Sequence, residues 1–212
     1  VSLAAAALKH RLARLSWNDE IVATLSPPEQ RIGPAKITPP PGSFLQATQH
    51  GETSLIETVG NILKSASPVL DLFSGCGTFS LPLAQMAEIH AVEGEADMLA
   101  ALDKAWRQTQ GLKKISPEKR DLFRRPLLPD ELNKFEAAVI DPPRSGAEAQ
   151  VTMLAKSTIK TLAYVSCNSV SFARDAKILT DAGYSLKAVT PVDQFRWSYH
   201  VELVGAFHKA AA

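Results

Sequence analysis

The sequence predicts an α/β fold, a doubly wound and mostly parallel sheet of seven strands with an antiparallel edge. Three observations predict it. After Gly42, short apolar runs alternate with stretches of helical periodicity, and repeated strand–helix units build a parallel sheet covered on both faces. The first of these strands runs into a glycine-containing turn that opens a helix. The last two apolar runs have no helix between them, so they pair as an antiparallel edge.

The elements follow in order. Residues 3–15 are alanine-rich, with Leu8, Leu12 and Leu15 at helical spacing, and predict a helix. Residues 26–42 carry Pro27, Pro28, Pro34, Pro39, Pro40 and Pro41 and read as a linker or extended arm. Residues 1–41 are thus expected to be an N-terminal helix and arm, and residues 42–212 the main domain. A helix is expected over 49–64, where Leu55, Ile56, Val59, Ile62 and Leu63 recur on one face. Strands are expected at 69–73, 89–93, up to about 120–123, at 137–141 and at 161–166. Helices are expected over 78–86, 96–110, 147–156 and 169–182. Residues 186–190 and 201–207 are the closing strands.

Composition bounds the function. The chain is 45% hydrophobic and 21% charged, which suits a packed core rather than a disordered chain. With 23 basic and 22 acidic residues the net charge is +1, so charge alone would not hold a nucleic acid. Two cysteines, Cys76 and Cys167, cannot form a four-cysteine zinc or iron–sulfur site, and sparse thiols suit a reducing cytoplasm. No apolar run approaches the roughly 20 residues that span a bilayer. The first residues, with Lys9, His10, Arg11 and Arg14, are basic and acid-poor as in a transit peptide. The chain starts with Val rather than Met, however, and a fragment of a longer protein is the stronger expectation.

Chemistry concentrates where strands end. Asp71, Phe73, Gly75 and Gly77 form the first strand-to-helix turn. Glycines let backbone approach a ligand, and a carboxylate there repels phosphate but suits an ammonium group. A tight turn without ligand is the plain alternative. Glu93 ends the second strand, where nucleotide-binding α/β folds hold ribose hydroxyls. Asp121 ends the third; it is an acceptor for an adenine amino group or simply a surface acid. Asp141-Pro142-Pro143-Arg144-Ser145-Gly146 ends the fourth strand as a stiff lip. Ser166-Cys167-Asn168 ends the fifth and places a thiol at a helix start, a position that favours thiolate. A lone Cys is more often a small buried apolar residue, but here it shares the rim with the other motifs.

In combination these segments resemble the RNA 5-methyluridine methyltransferases, class I enzymes with a Rossmann-like sheet that use S-adenosyl-L-methionine. The pieces stand in family order: Ser43-Phe44-Leu45-Gln46, Asp71 to Gly77, Asp141-Pro-Pro-Arg-Ser-Gly, Ser166-Cys167-Asn168 and His200-Val201-Glu202. The resemblance implies that Cys167 is the nucleophile and Glu202 the general base. It implies that Gln46, Asp141 and Arg144 meet the target uracil. It implies that Gln46, Asp71, Phe73, Gly75, Gly77, Glu93, Asp121 and Asp141 line the cofactor site. The expected partner is RNA, ribosomal or transfer, with no membrane and a monomeric chain.

Departures also matter. Ser169 stands where the family carries Pro after Ser-Cys-Asn, which would leave that loop less stiff. The family's N-terminal oligonucleotide-binding barrel and iron–sulfur cysteines are not visible, so a missing N-terminal RNA-binding domain is expected. Enzymes acting on the adenine amino group resemble the cofactor half but place an aromatic after Pro-Pro, where this chain has Arg144. RNA 5-methylcytosine enzymes carry a Pro-Cys motif absent here. A fragment that binds cofactor or RNA without turnover stays as a further alternative.

Overall fold

The computed structural model of the chain describes residues 2–18, 20–195 and 197–210. In chain order these form α1 Leu3–His10, β1 Arg14–Trp17, β2 Glu20–Thr24, β3 Gln30–Ile32, β4 Ala35–Ile37, α2 Gln49–Leu63, β5 Val69–Leu72, α3 Ser80–Leu83, β6 Ile89–Glu93, α4 Ala96–Gln108, β7 Ile115–Lys119, α5 Pro129–Leu132, β8 Ala137–Ile140, α6 Glu148–Ala155, β9 Thr161–Ser166, α7 Ser169–Asp181, β10 Tyr184–Val192 and β11 Glu202–Lys209.

The seven-stranded sheet has the order β10-β11-β9-β8-β5-β6-β7. The strands from β9 through β7 pair in parallel, and β11 pairs antiparallel with both β9 and β10. This is the doubly wound sheet with an antiparallel edge that the sequence predicts. The central strands β5 and β8 are buried at every residue, because helices cover both faces. One core lies under α2 and α4 and includes Leu55, Val59, Leu99 and Leu102. The other lies under α6 and α7 and includes Val151, Leu154, Phe172 and Leu179. Chain order reverses at β5, whose neighbours β6 and β8 lead away in opposite directions, so the carboxyl end of β5 opens the crevice where ligands enter such sheets.

Three local expectations need correction. The first helix stops at His10, because Arg11 turns left-handed (φ 50°, ψ 43°) and its amide reaches back to the carbonyls of Ala7 and Leu8. Leu15 then lies in β1, which pairs with β2 across a turn where Asn18 has φ 47°. The proline-rich stretch is not a free arm. It holds the β3–β4 hairpin, turned at Gly33, and Ile32, Ala35 and Ile37 are buried in the core beneath α2 and α4. The third strand of the domain, β7, ends before Arg120; it carries Pro117, which this edge position tolerates. Among the described residues no helix is long and apolar enough to cross a membrane.

Candidate active site

A cavity of about 800 Å³ opens at the carboxyl ends of β5, β6, β7, β8 and β9. Its wall carries Gln46, Phe73, Gly75, Glu93, Asp121, Asp141, Arg144, Cys167 and Glu202, which the fold brings together from distant points of the chain. Asp71 and Gly77 do not reach the wall. Asp71 is fully buried behind it, and its Oδ2 accepts from the Ser80 hydroxyl at 2.6 Å. Burial, eased by the Ser80 bonds and reinforced by Glu93, pushes its carboxyl up to about 7. Gly77 shapes the turn from within. Its φ is 93°, and a Cβ there would sit 2.4 Å from Leu102. These two serve the architecture of the turn rather than its surface.

The turn after β5 is held by the end of β6. Glu93 accepts from the Gly75 amide at 2.9 Å and from the Glu95 amide at 2.9 Å. That fixes the carboxylate at the rim while leaving it lone pairs for further donors. Asp121 is fixed in the same way: its Oδ1 accepts from the amides of Phe123 and Arg124 at 3.0 and 3.2 Å. Phe73 and Phe123 meet across this end of the cavity, with ring centroids 5.3 Å apart.

At the opposite end, the lip after β8 is tied to the turn after β9. The Arg144 carbonyl accepts from the Asn168 side-chain amide at 2.9 Å and from the Ser171 hydroxyl at 3.0 Å. Asn168 also caps α7 through the Val170 amide. Behind the lip, buried Asp175 accepts from the Ala147 amide at 2.7 Å and the Tyr164 hydroxyl at 2.5 Å. Gly146 (φ 77°) leaves room for Asp175 and Arg174, which a Cβ would approach to 2.6 Å. Leu203 of β11 pairs with Ser166 of β9, so antiparallel register sets Glu202 one step further along, opposite Cys167.

The electrostatics of this end differ from the thiolate expected at a helix start. Burial, followed by the Glu202 carboxyl, holds the Cys167 thiol above its ordinary value; Arg144 pulls it down and Asp141 pushes it up. Burial of the thiol, with Glu202 next, outweighs the helix terminus. Burial also raises Glu202, and burial with the neighbouring Glu202 and Asp71 carboxyls pushes Asp141 up to about 8. Three carboxyl groups that share one poorly solvated region cannot all ionise cheaply. The region suits a cationic ligand and disfavours a pyrophosphate.

Some wall residues escaped the sequence reading. Phe123 and Phe195 line the cavity, and Phe195 meets His200 edge-on at 6.4 Å between centroids. Aromatics in loops carry no periodic signal. Gln194 is buried and donates from Nε2 to the Gln46 Oε1 at 2.8 Å. Nothing in its own sequence context announces that contact.

Comparison with known proteins agrees with this geometry. The family described as tRNA (Uracil-5-)-methyltransferase matches residues 35–210. An uncharacterized RNA methyltransferase of Mesorhizobium japonicum is 51% identical over 202 residues, which cover 95% of this chain and 49% of that protein. A 23S rRNA (uracil(1939)-C(5))-methyltransferase of Shewanella halifaxensis is 37% identical over 175 residues, covering 81% of this chain and 39% of that one. The chain spans about half the length of the curated relatives it matches. The tRNA (uracil-54, C5)-methyltransferase of Pyrococcus abyssi, solved with S-adenosyl-L-homocysteine, superposes with a TM-score of 0.73 at 24% identity, over 84% of this chain and 43% of that one, a likeness of fold. With the family match extending over most of its length, this chain belongs to the tRNA (uracil-5-)-methyltransferase family.

Proposed function

We propose that this chain carries the catalytic site of an S-adenosyl-L-methionine-dependent enzyme that methylates carbon 5 of a uridine in RNA. The observation that carries the reading is the placement of Cys167 and Glu202 opposite each other on one cavity wall, with Asp141 beside them. Carbon 5 of uracil is a weak nucleophile. A thiolate at Cys167 that adds to carbon 6 pushes electrons toward carbon 5 and the carbonyl oxygen. Once carbon 5 has taken the methyl group that the cofactor would supply, Glu202 takes the carbon 5 proton, and the Cys167–carbon 6 bond breaks to restore the ring. Its raised carboxyl is a stronger base than an ordinary glutamate. Asp141, protonated for much of the time near neutrality, can donate a hydrogen bond to a carbonyl oxygen that gains charge.

The residues present fit the cofactor. Glu93 has lone pairs that would take ribose hydroxyls, Asp121 has an acceptor oxygen that would take an adenine amino group, and Phe73 with Phe123 would offer an apolar wall to the base. The unpartnered Oδ1 of buried Asp71 adds negative potential behind the turn. When bound, the cofactor supplies a methyl group on a positively charged sulfur. That charge favours ionisation of Cys167 and Glu202.

The relatives named above act on both ribosomal and transfer RNA, and the Shewanella halifaxensis likeness favours ribosomal RNA. Reach to a structured RNA is expected to need what the relatives carry in the half of their length that this chain does not span, and the target base must leave its stack. The test is tritium release from 5-tritiated uridine in a short single-stranded RNA with the cofactor added. Release that depends on cofactor and on Cys167 supports the proposal. Transfer of methyl to another base, or to none while cofactor binds, overturns it.

A further inference from the structure

Gln46 and Gln194 form a side-chain pair whose polarity can be read. The Gln194 Oε1 accepts from the Thr48 main-chain amide at 3.4 Å. A main-chain amide only donates, so this contact tells oxygen from nitrogen in the Gln194 side chain. Its Nε2 is then the group that faces Gln46, and it donates to the Gln46 Oε1 at 2.8 Å. With its oxygen engaged, Gln46 has its Nε2 hydrogens to offer the cavity that it lines. Gln194 cannot easily turn over. It is 7% exposed, and a Cβ on Gly51 would lie 2.3 Å from its Cγ, so the start of α2 packs directly on it.

We infer that Gln194 is a positioning residue that fixes Gln46 as a hydrogen-bond donor toward the ligand, so that the cavity takes a base edge bearing a carbonyl and rejects one bearing an amino group. This rests on the reading of the cavity as a pyrimidine site. Uracil presents a carbonyl at carbon 4 and cytosine an amino group, and a donor facing a donor leaves both unpaired in a desolvated place. Specificity here would come from a residue that touches no ligand.

Gln194→Glu is the informative variant. It keeps the size and the acceptor for the Thr48 amide, but an ionised carboxylate cannot donate to Gln46. Gln46 would turn over, donate to Glu and show its oxygen to the cavity. Two measurements at pH 8.5 test this. The first is side-chain amide exchange by NMR on the nitrogen-15-labelled chain, with signals assigned through Gln46→Ala and Gln194→Glu. The Nε2 hydrogens of Gln46 are expected to exchange freely in the wild type and to slow about tenfold in Gln194→Glu, the size of a hydrogen bond of roughly average strength. Unchanged exchange of Gln46, or protection already in the wild type, would overturn the assigned polarity. The second is kinetics on the short uridine RNA. KM should rise about tenfold in Gln194→Glu with kcat within about twofold, the pattern of lost ground-state binding. In a Gln46→Ala background Gln194→Glu should add nothing. Losses that add in the double variant, or a fall in kcat with a lowered melting temperature, mean that Gln194 only packs. A wild-type chain with no transfer to this RNA would sink the pyrimidine reading, while amide exchange would still decide the polarity.

Discussion

At Cys167 a helix start that favours thiolate opposes burial and neighbouring carboxyl groups that disfavour it. Burial dominates, followed by Glu202, so the thiol rests protonated at neutral pH. Addition to carbon 6 should therefore speed up as pH rises through and past the ordinary thiol range near ~8.5. Arg144→Ala removes a cation that pulls the thiol down and should move the profile to still higher pH. A rate independent of pH between 6 and 9, or an Arg144→Ala profile that moves downward, contradicts this account. Glu202→Gln has a different signature. The base is needed after the covalent bond has formed, so turnover should fall about 10²–10⁴-fold while the protein–RNA adduct accumulates. A gel that shows no adduct in that variant would place Glu202 elsewhere in the mechanism. Glu93 and Cys167 were legible in the sequence because each stands where a predicted strand ends, and Glu202 through the family resemblance. The burial of Asp71 behind the wall was not, because it depends on Ser80, nine residues on at the first position of α3. The thiol's raised pKa was equally hidden, since it arises from burial and then from Glu202, and only the folded sheet supplies either.

Among the elements, the glycine turn after β5 gives the sharpest contrast. Gly75 and Gly77 both have positive φ, 54° and 93°, but only Gly77 has a neighbour where a Cβ would be. Gly75→Ala should cost about 1–2 kcal/mol for the left-handed backbone alone. Gly77→Ala adds a collision with Leu102 and should cost at least about 2 kcal/mol. Urea unfolding of the two variants measures the difference; equal losses would mean that Leu102 yields freely. The parallel strands and their helices were legible from periodicity, since long apolar stripes and fully buried runs leave a clear mark. The strands β1 to β4 were not: all four are short, and β3 and β4 are set among prolines. Their burial is decided by contact with distant helices: Ile37 becomes core only because α4 lies over β4.

On the scale of the whole molecule, the β3–β4 hairpin belongs to the core. Ile32→Ala should cost about 2–5 kcal/mol, as for any fully buried aliphatic truncation, and thermal unfolding measures it. A loss within error would mean that the hairpin is a loose attachment. Buried carboxyls set the pH dependence of stability. Asp71 and Asp141 have folded values raised to about 7 and about 8, so the folded chain holds more protons than the unfolded one. Their contribution is complete below the unfolded range near ~4 and is lost as pH rises toward 8. Glu131 has the opposite sign. Its bonds with Arg120, then with the Leu128 amide, lower it to about 2, so its contribution is lost as pH falls below 4.5. Urea midpoints should peak near pH 5 and decline toward pH 8, and Asp141→Asn should flatten the decline.

The central claim is that Cys167 attacks the target base. The chain is incubated with cofactor and RNA containing 5-fluorouridine, whose fluorine cannot leave as a proton, and the mixture is denatured. A protein–RNA adduct is expected that survives denaturation, persists in Cys76→Ala and is lost in Cys167→Ala. An adduct that persists in Cys167→Ala, or none from the wild-type chain while cofactor binds, would contradict the claim.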